Sequence, residues 1–208
     1  YEISLGLVGS EMCIRDSATC GEIDGEVKDL RYEITKDCNL TIHTFDSSLD
    51  GKKAYWHTTS HIMAQAVKRL FPGVKFAIGP SIDNGFYYDF DVEKPFTDED
   101  KEKIEAEMKK IIKENLPIER FVLPKDEALK LMEGQPYKQE LINDLPEGEE
   151  IGFYKQGDFT DLCAGPHLVS TGKVKAIKIL SSSGAYWRGD EPVSYTHLRA
   201  HETEADLV

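Results

Sequence analysis

Four side chains of types that move protons or hold metals stand out in this sequence by their spacing. They fall in two evenly spaced pairs, His57 with His61 and Cys163 with His167. Imidazole titrates nearest neutrality, so it serves as general base, proton shuttle and metal ligand. Three imidazoles and one thiolate would close a tetrahedral zinc site. The same groups around a metal-free cleft would move protons during ester hydrolysis. Spacing alone does not separate the two chemistries. Each residue taken singly reads more plainly: a lone histidine as a satisfied structural group, Cys163 as a small buried hydrophobe. Cys163 as nucleophile ranks below a role in shape.

For the first pair to act together, positions 57 and 61 must share one face of a helix. The pattern predicts one from about Lys53 to Leu70, after a break at Asp50-Gly51 and before Pro72-Gly73. The second pair lies in Asp161-Leu162-Cys163-Ala164-Gly165-Pro166-His167, where Gly-Pro imposes a turn able to bring His167 back beside Cys163. Between the pairs, Phe76–Ile78 and Phe86–Phe90 read as strands joined around Asp83-Asn84-Gly85, a hairpin signal. Thr97 and Asp100 form a capping box that opens a helix, and Ile104, Met108, Ile111 and Ile112 give it one apolar stripe. Its Glu and Lys residues read as a solvated face. Helices over Asp126–Glu133 and Tyr137–Leu145 follow, then strands over Ile151–Tyr154 and Val174–Leu180. The fold class is α+β, a mostly antiparallel sheet packed with helices. Upstream, Leu30–Ile34 and Leu40–Phe45 read as small strands, too few to bury a core alone. Residues 18–48 thus look like the back half of a small β-rich module.

Composition narrows the partners. The 208 residues are 40% hydrophobic and 30% charged, with a net charge of −13, which excludes a duplex-DNA coat protein. No apolar run approaches the roughly 20 residues of a membrane span. The four cysteines lack the compact even spacing of a disulfide scaffold, which points to a reducing cytoplasm. Residues 1–17 and 192–208 resemble translated sequencing-adapter read-through and are set aside as non-native tails. That removes His197 and His201, whose H-x-x-x-H spacing would otherwise suit a metal on a helix.

Four blocks resemble, in order and spacing, the amino-terminal editing domain of the bacterial threonyl-tRNA synthetases: Trp56–His61, Ala77–Asp89, Asp161–His167 and Gly184–Asp190. The resemblance covers roughly residues 52–191. Residues 18–48, through Gly25–Val27 and Thr44-Phe45-Asp46, look like the end of the TGS module that precedes editing in that family. Alanyl-tRNA synthetase editing domains share both His and Cys pairs but not the Ile82–Tyr88 block.

The resemblance implies a fold of the threonyl/alanyl second additional domain type, and hydrolysis of the ester of mischarged seryl-tRNA(Thr). Serine lacks one methyl of threonine, a difference worth only about 1–3 kcal/mol in a binding pocket, so a second site must clear the error. By resemblance, His57, His61, Lys138, Asp161, Cys163 and His167 are catalytic, while Gly79 and Tyr88 bind substrate. Taken alone, Lys138 reads as a surface lysine and Tyr88 as strand packing. The resemblance further implies a metal-free site and no cofactor for this stretch. ATP and a zinc belong to an aminoacylation core absent from the chain, and dimerisation to other missing domains. The implied partner is a tRNA acceptor end carrying serine, with Lys173, Lys175, Lys178 and Arg188 as a local positive strip; no DNA and no membrane is expected. Two alternatives stand beside this: a zinc-stabilised tRNA-binding module without catalysis, and a freestanding trans-editing deacylase.

Overall fold

The main core of the described residues is built around one helix. The structure, a computed structural model, describes residues 16–82, 84–92, 94–146, 148–186 and 194–201. Helix α1, Leu49–Leu70, is buried almost continuously from Ala54 to Val67. The Ser48 hydroxyl accepts from Gly51 N at 3.0 Å and caps its start. The helix therefore begins about a turn before the expected Lys53. Gly51 is a packing contact, not a break, because a Cβ there would lie 2.0 Å from the Thr44 carbonyl oxygen.

That contact seats α1 on a three-stranded antiparallel sheet, β1 Ala18–Ile23, β2 Glu26–Lys28 and β3 Leu40–Thr44, in order β2-β1-β3. Asp24 and Gly25, both at positive φ, make its tight turn. Leu30–Ile34 is not a strand as expected. Its chain turns on Asp29, which accepts from Tyr32 N through its carbonyl and from Arg31 N through its carboxylate.

The second sheet has the order β10-β11-β6-β4, with β5 also on β6. Here β4 is Lys75–Phe76, β5 Ser81–Ile82, β6 Gly85–Asp91, β10 Lys178–Tyr186 and β11 Ser194–His201. The expected hairpin forms between β6 and the short β5 rather than with Phe76–Ile78, of which only Phe76 is in a strand, β4; Asp83 itself lies outside the described residues. Phe86, Tyr88 and Phe90 alternate inward from β6 and are fully buried. Residues 194–201, within the segment set aside as a tail, form the strand that pairs β6 with β10. Thr196, Leu198 and Ala200 point inward, while His197 and Arg199 lie outward. A period-2 pattern over five residues is enough to complete a ladder, whatever its origin. His197 and His201 thus sit on a strand, and His197 is bonded to Asp89 at 2.8 Å. The rest of both tails, 1–15, 192–193 and 202–208, lies outside the described residues.

Helix α2, Asp98–Glu114, carries the capping box between Thr97 and Asp100 and ends on Asn115 in the left-handed region. Ile104, Met108 and Ile111 bury against α1 and the sheet in the main core. A third sheet, β7 Ile118–Leu123, β8 Ile151–Gln156 and β9 Phe159–Leu162, is antiparallel in the order β7-β8-β9. Helices α3, Lys125–Leu131, and α4, Pro136–Asp144, cover one face of it through Ala128, Met132, Ile142, Ile151 and Phe153. Strands β7 and β9 escape the sequence pattern, and Val174–Ile177 is an extended lead into β10 rather than part of it. The α+β class and antiparallel pairing are as expected. Among the described residues no helix is long and apolar enough to cross a membrane.

Candidate functional site

Helix α1 presents His57 and His61 one turn apart on the same face, ring centroids 5.2 Å apart. The chain leaving β9 turns back toward them through Cys163–His167. Gly165 makes that turn at φ +81, and a Cβ there would lie 2.1 Å from the Tyr154 hydroxyl, so no other residue fits without movement. The turn brings the His167 ring to 4.3 Å from both the His57 and His61 rings. Cys163 Sγ stands 3.3 Å from His57 Nε2 and 3.1 Å from His167 Nε2. One nitrogen or sulfur of each of the four residues lies within 4.8 Å of all the others. Two pairs a hundred residues apart in the chain are one cluster.

Hydrogen bonding fixes the His167 tautomer. Its Nδ1 meets Thr58 Oγ1 at 3.2 Å, and that hydroxyl already donates to the Ala54 carbonyl at 2.9 Å. With its single proton so placed, Thr58 accepts from His167 Nδ1–H and from Leu168 N. His167 Nε2 then carries the lone pair and faces the Cys163 thiol.

A charged pair lies beside the imidazoles. Lys138 Nζ on α4 is 2.6 Å from Asp161 Oδ1 on β9, and each residue is only 3% exposed. The expectation of a surface lysine is corrected here: Asp161 offsets the cost of burying the ammonium. Tyr88 donates its hydroxyl to Asp161 Oδ2 at 2.6 Å, and His61 Nε2 is 3.6 Å from the same oxygen. Asp161 therefore joins lysine, phenol and imidazoles. Gly79 completes the wall, since a Cβ there would be 2.1 Å from the Tyr88 ring, while its carbonyl accepts from Ser60 Oγ at 2.7 Å. His57, Cys163 and Gly79 keep partial contact with solvent; the other members are buried. The cluster thus opens past His57 and Cys163.

Burial sets the protonation states. It pushes His57 down to about 3, helped by His61 and Lys138, and His61 down to about 4, with Asp161 opposing in both. His167 is driven well below the ordinary range by burial and by its two imidazole neighbours. All three rings are neutral at pH 7. Burial raises the Asp161 carboxyl, but Lys138 and His61 outweigh it and hold it below the usual range. Burial pushes the Cys163 thiol up to about 12, so it is not a thiolate at neutral pH. The chemistry available is that of neutral imidazole bases beside an ammonium and a carboxylate. The four donors also have the identities and spacing of a zinc set, and neutral imidazoles suit a metal.

The same shifts predict an acid-labile fold. Unfolded histidine binds its proton near 6.5, whereas folded His61 stays neutral to about 4. Between these pH values the unfolded chain holds more protons, so stability is lost as pH falls from 6.5 toward 4. Urea midpoints at pH 7, 6, 5 and 4 are expected to drop through that window, less steeply for His61→Gln than for the parent. Equal slopes would contradict the assignment.

Beside the cluster, a cavity of about 280 Å³ reaches Lys138 and Asp161 between Phe76, Gln135, Phe159 and Thr160. Another, of about 590 Å³, runs outside the Ala164–Pro166 turn. A third, of about 550 Å³ beside Phe45 and Trp56, includes none of the site residues. Of the expected positive strip, Lys173 pairs with Asp16 and Lys178 with Glu105, and Arg188 lies outside the described residues. Thr58 and Tyr154, absent from the sequence expectation, hold the His167 ring from either side. Thr58 stands inside the Trp56–His61 block, but its type alone gives no signal.

Residues 151–191 match the family described as the threonyl and alanyl tRNA synthetase second additional domain. The chain is similar to the threonine–tRNA ligase of Acetivibrio thermocellus, 68% identical over 176 residues, 84% of this chain and 28% of that protein. It is likewise similar to the ligase of Caldanaerobacter subterraneus subsp. tengcongensis, 61% identical over 193 residues, 92% of the chain and 29% of the relative. The ligase of Clostridium tetani is 60% identical over 198 residues, 91% and 31% of the two lengths. The chain spans less than a third of the length of the curated relatives it matches.

Proposed function

We propose, for a chain that belongs to the bacterial threonyl-tRNA synthetases as a stretch of their amino-terminal region, that the His57–Lys138–Asp161 pocket hydrolyses the ester of seryl-tRNA(Thr). The observation that carries this reading is the buried Lys138–Asp161 pair, set beside His61 in a cluster of three neutral imidazoles that opens to solvent past His57. Water attacks the ester carbonyl, the bond from that carbon to the ribose oxygen breaks, and free serine and an uncharged tRNA end leave. His57 positions the water, takes its proton and returns a proton to the leaving ribose oxygen. The Lys138 ammonium stabilises the negative charge that builds on the ester or leaving ribose oxygen. Asp161, ionised, receives the serine ammonium, and His167 the serine hydroxyl. Cys163, kept as a thiol, is a wall against the extra methyl of threonine.

Supplied with tRNA(Thr) carrying radiolabelled serine or threonine, the chain is expected to release serine at least ~10-fold faster than threonine, the discrimination one methyl allows. Release of serine at the buffer rate would overturn the proposal. A second reading rests on the donor spacing of the four-residue cluster: a zinc centre that stabilises a tRNA-binding module. Stoichiometric zinc in the same preparation, with serine released only at the buffer rate, would favour it. Aminoacylation with ATP, a core zinc and dimerisation are proposed for the longer protein only, and its compartment is the cytoplasm. Cys20, Cys38 and Cys163, all free, are consistent with that.

A further inference from the structure

The turn that carries Cys163 and His167 is gripped from outside the pocket by the amino-terminal sheet. Asp29 follows β2 directly, and its side chain is 10% exposed. Its Oδ2 accepts from the Tyr154 hydroxyl at 3.1 Å and from the His167 backbone N at 3.4 Å. Its Oδ1 accepts from Arg31 N at 3.0 Å and pairs with the Arg31 guanidinium. That guanidinium reaches on to donate to the Leu168 carbonyl at 2.5 Å. From the opposite side, Thr58 Oγ1 accepts from Leu168 N at 2.9 Å and meets the His167 ring. Successive backbone groups of His167 and Leu168 are therefore fixed between two elements far from them in sequence. Tyr154, bonded to Asp29, also lays its ring 4.3 Å from the His167 ring.

We propose that Asp29 is a positioning residue of the hydrolytic site: through His167 N, Tyr154 and Arg31 it holds the turn that sets the Cys163 and His167 side chains in the pocket. The proposal rests on the hydrolase reading for its effect on rate. Asp29 touches neither the pocket interior nor any reacting atom, so it acts only through the turn. Loosening that turn shifts the methyl-excluding wall and the His167 ring together. This gives the amino-terminal sheet a part in the chemistry it does not line.

The test compares the parent chain with Asp29→Ala, Asp29→Asn and Tyr154→Phe in seryl-tRNA hydrolysis, with Cys163 alkylation by iodoacetamide followed peptide by peptide. For Asp29→Ala, kcat is expected to fall about 10- to 100-fold while KM stays within about 2-fold, the signature of misplacement rather than lost binding. Asp29→Asn keeps the size and one acceptor and should recover part of that loss. Cys163 alkylation should quicken several-fold in step with the fall in kcat, while Cys38 reacts at the parent rate. Unchanged kcat, or a fall in kcat with no change at Cys163, would overturn the proposal. If Asp29→Ala does not fold, Tyr154→Phe decides, because it removes only the hydroxyl: unchanged kcat and alkylation there would also overturn it. A parent chain that leaves seryl-tRNA intact overturns the hydrolase reading instead, and the alkylation rates still report whether Asp29 holds the turn.

Discussion

Replacing Lys138 by methionine is expected to slow seryl-tRNA hydrolysis by about 10²–10³-fold and to cost on the order of 3–5 kcal/mol of stability. Both effects come from one contact. Lys138 Nζ and Asp161 Oδ1 are 2.6 Å apart and almost wholly excluded from water. Methionine fills most of the lysine's volume, so packing changes little. What remains is a buried carboxylate with one phenolic donor, Tyr88, and a neutral imidazole 3.6 Å away. That carboxylate must take up a proton, or draw one onto His61, and either route is costly in the folded state. Pairing the change with Asp161→Asn removes the stranded charge. The double variant should therefore recover most of the lost stability while staying inactive. Urea unfolding and deacylation of the three variants give the coupling directly. A Lys138→Met chain as stable as its parent, or a double variant no better than the single, would count against a buried, charged pair.

The parts of this site that could be read in the sequence are those with strong local spacing. His57 and His61 are four apart on a helix that forms, and Gly165-Pro166 marks the turn that returns His167 to Cys163. The Thr97–Asp100 box is equally local and appears where expected, and Asn84-Gly85 marks the start of β6, although its hairpin partner is Ser81–Ile82 and not Phe76–Ile78. What escaped depends on neighbours from elsewhere in the chain. Gly51 looks like a helix breaker until Thr44 is set against it. Leu30–Ile34 alternates like a strand, yet its backbone turns on Asp29. Lys138 carries no sign of burial in its own helix; only Asp161, arriving on β9, makes burial tolerable. Strand β7 is hidden because Glu119 stands on the face that Phe121 and Leu123 turn to the core, while Val122 is exposed on the other. The 194–201 segment shows the reverse: a sequence that resembles a foreign tail has the alternation that a gap between β10 and β6 requires. Physical pattern, not provenance, decides whether a segment pairs.

His57→Ala should separate catalysis from folding more cleanly than any other change in the pocket. Loss of a general base typically costs about 10²–10⁴-fold in rate. His57 is the member of the imidazole set that keeps a solvent-facing edge, and its Nε2 meets the Cys163 thiol at 3.3 Å. Removing it strands no buried charge. The unfolding midpoint should therefore stay close to that of the parent, in contrast to Lys138→Met. The pH profile of the parent adds a second constraint. A solvent-exposed histidine would lose its base form below about 6.5, and the rate would bend there. His57 held at about 3 and His61 at about 4 keep their lone pairs through that range. The acid limb of kcat/KM, which reports the free enzyme, is thus expected well below pH 6. Its position should not move when Cys163 is changed to serine, because the thiol titrates near 12 and is not the base. A bend near 6.5 would mean that His57 meets bulk water freely. Full activity in His57→Ala would move the task of activating water to His61 or His167. Only His57 combines a neutral ring, contact with the cluster and access to solvent, which is why the loss should fall there.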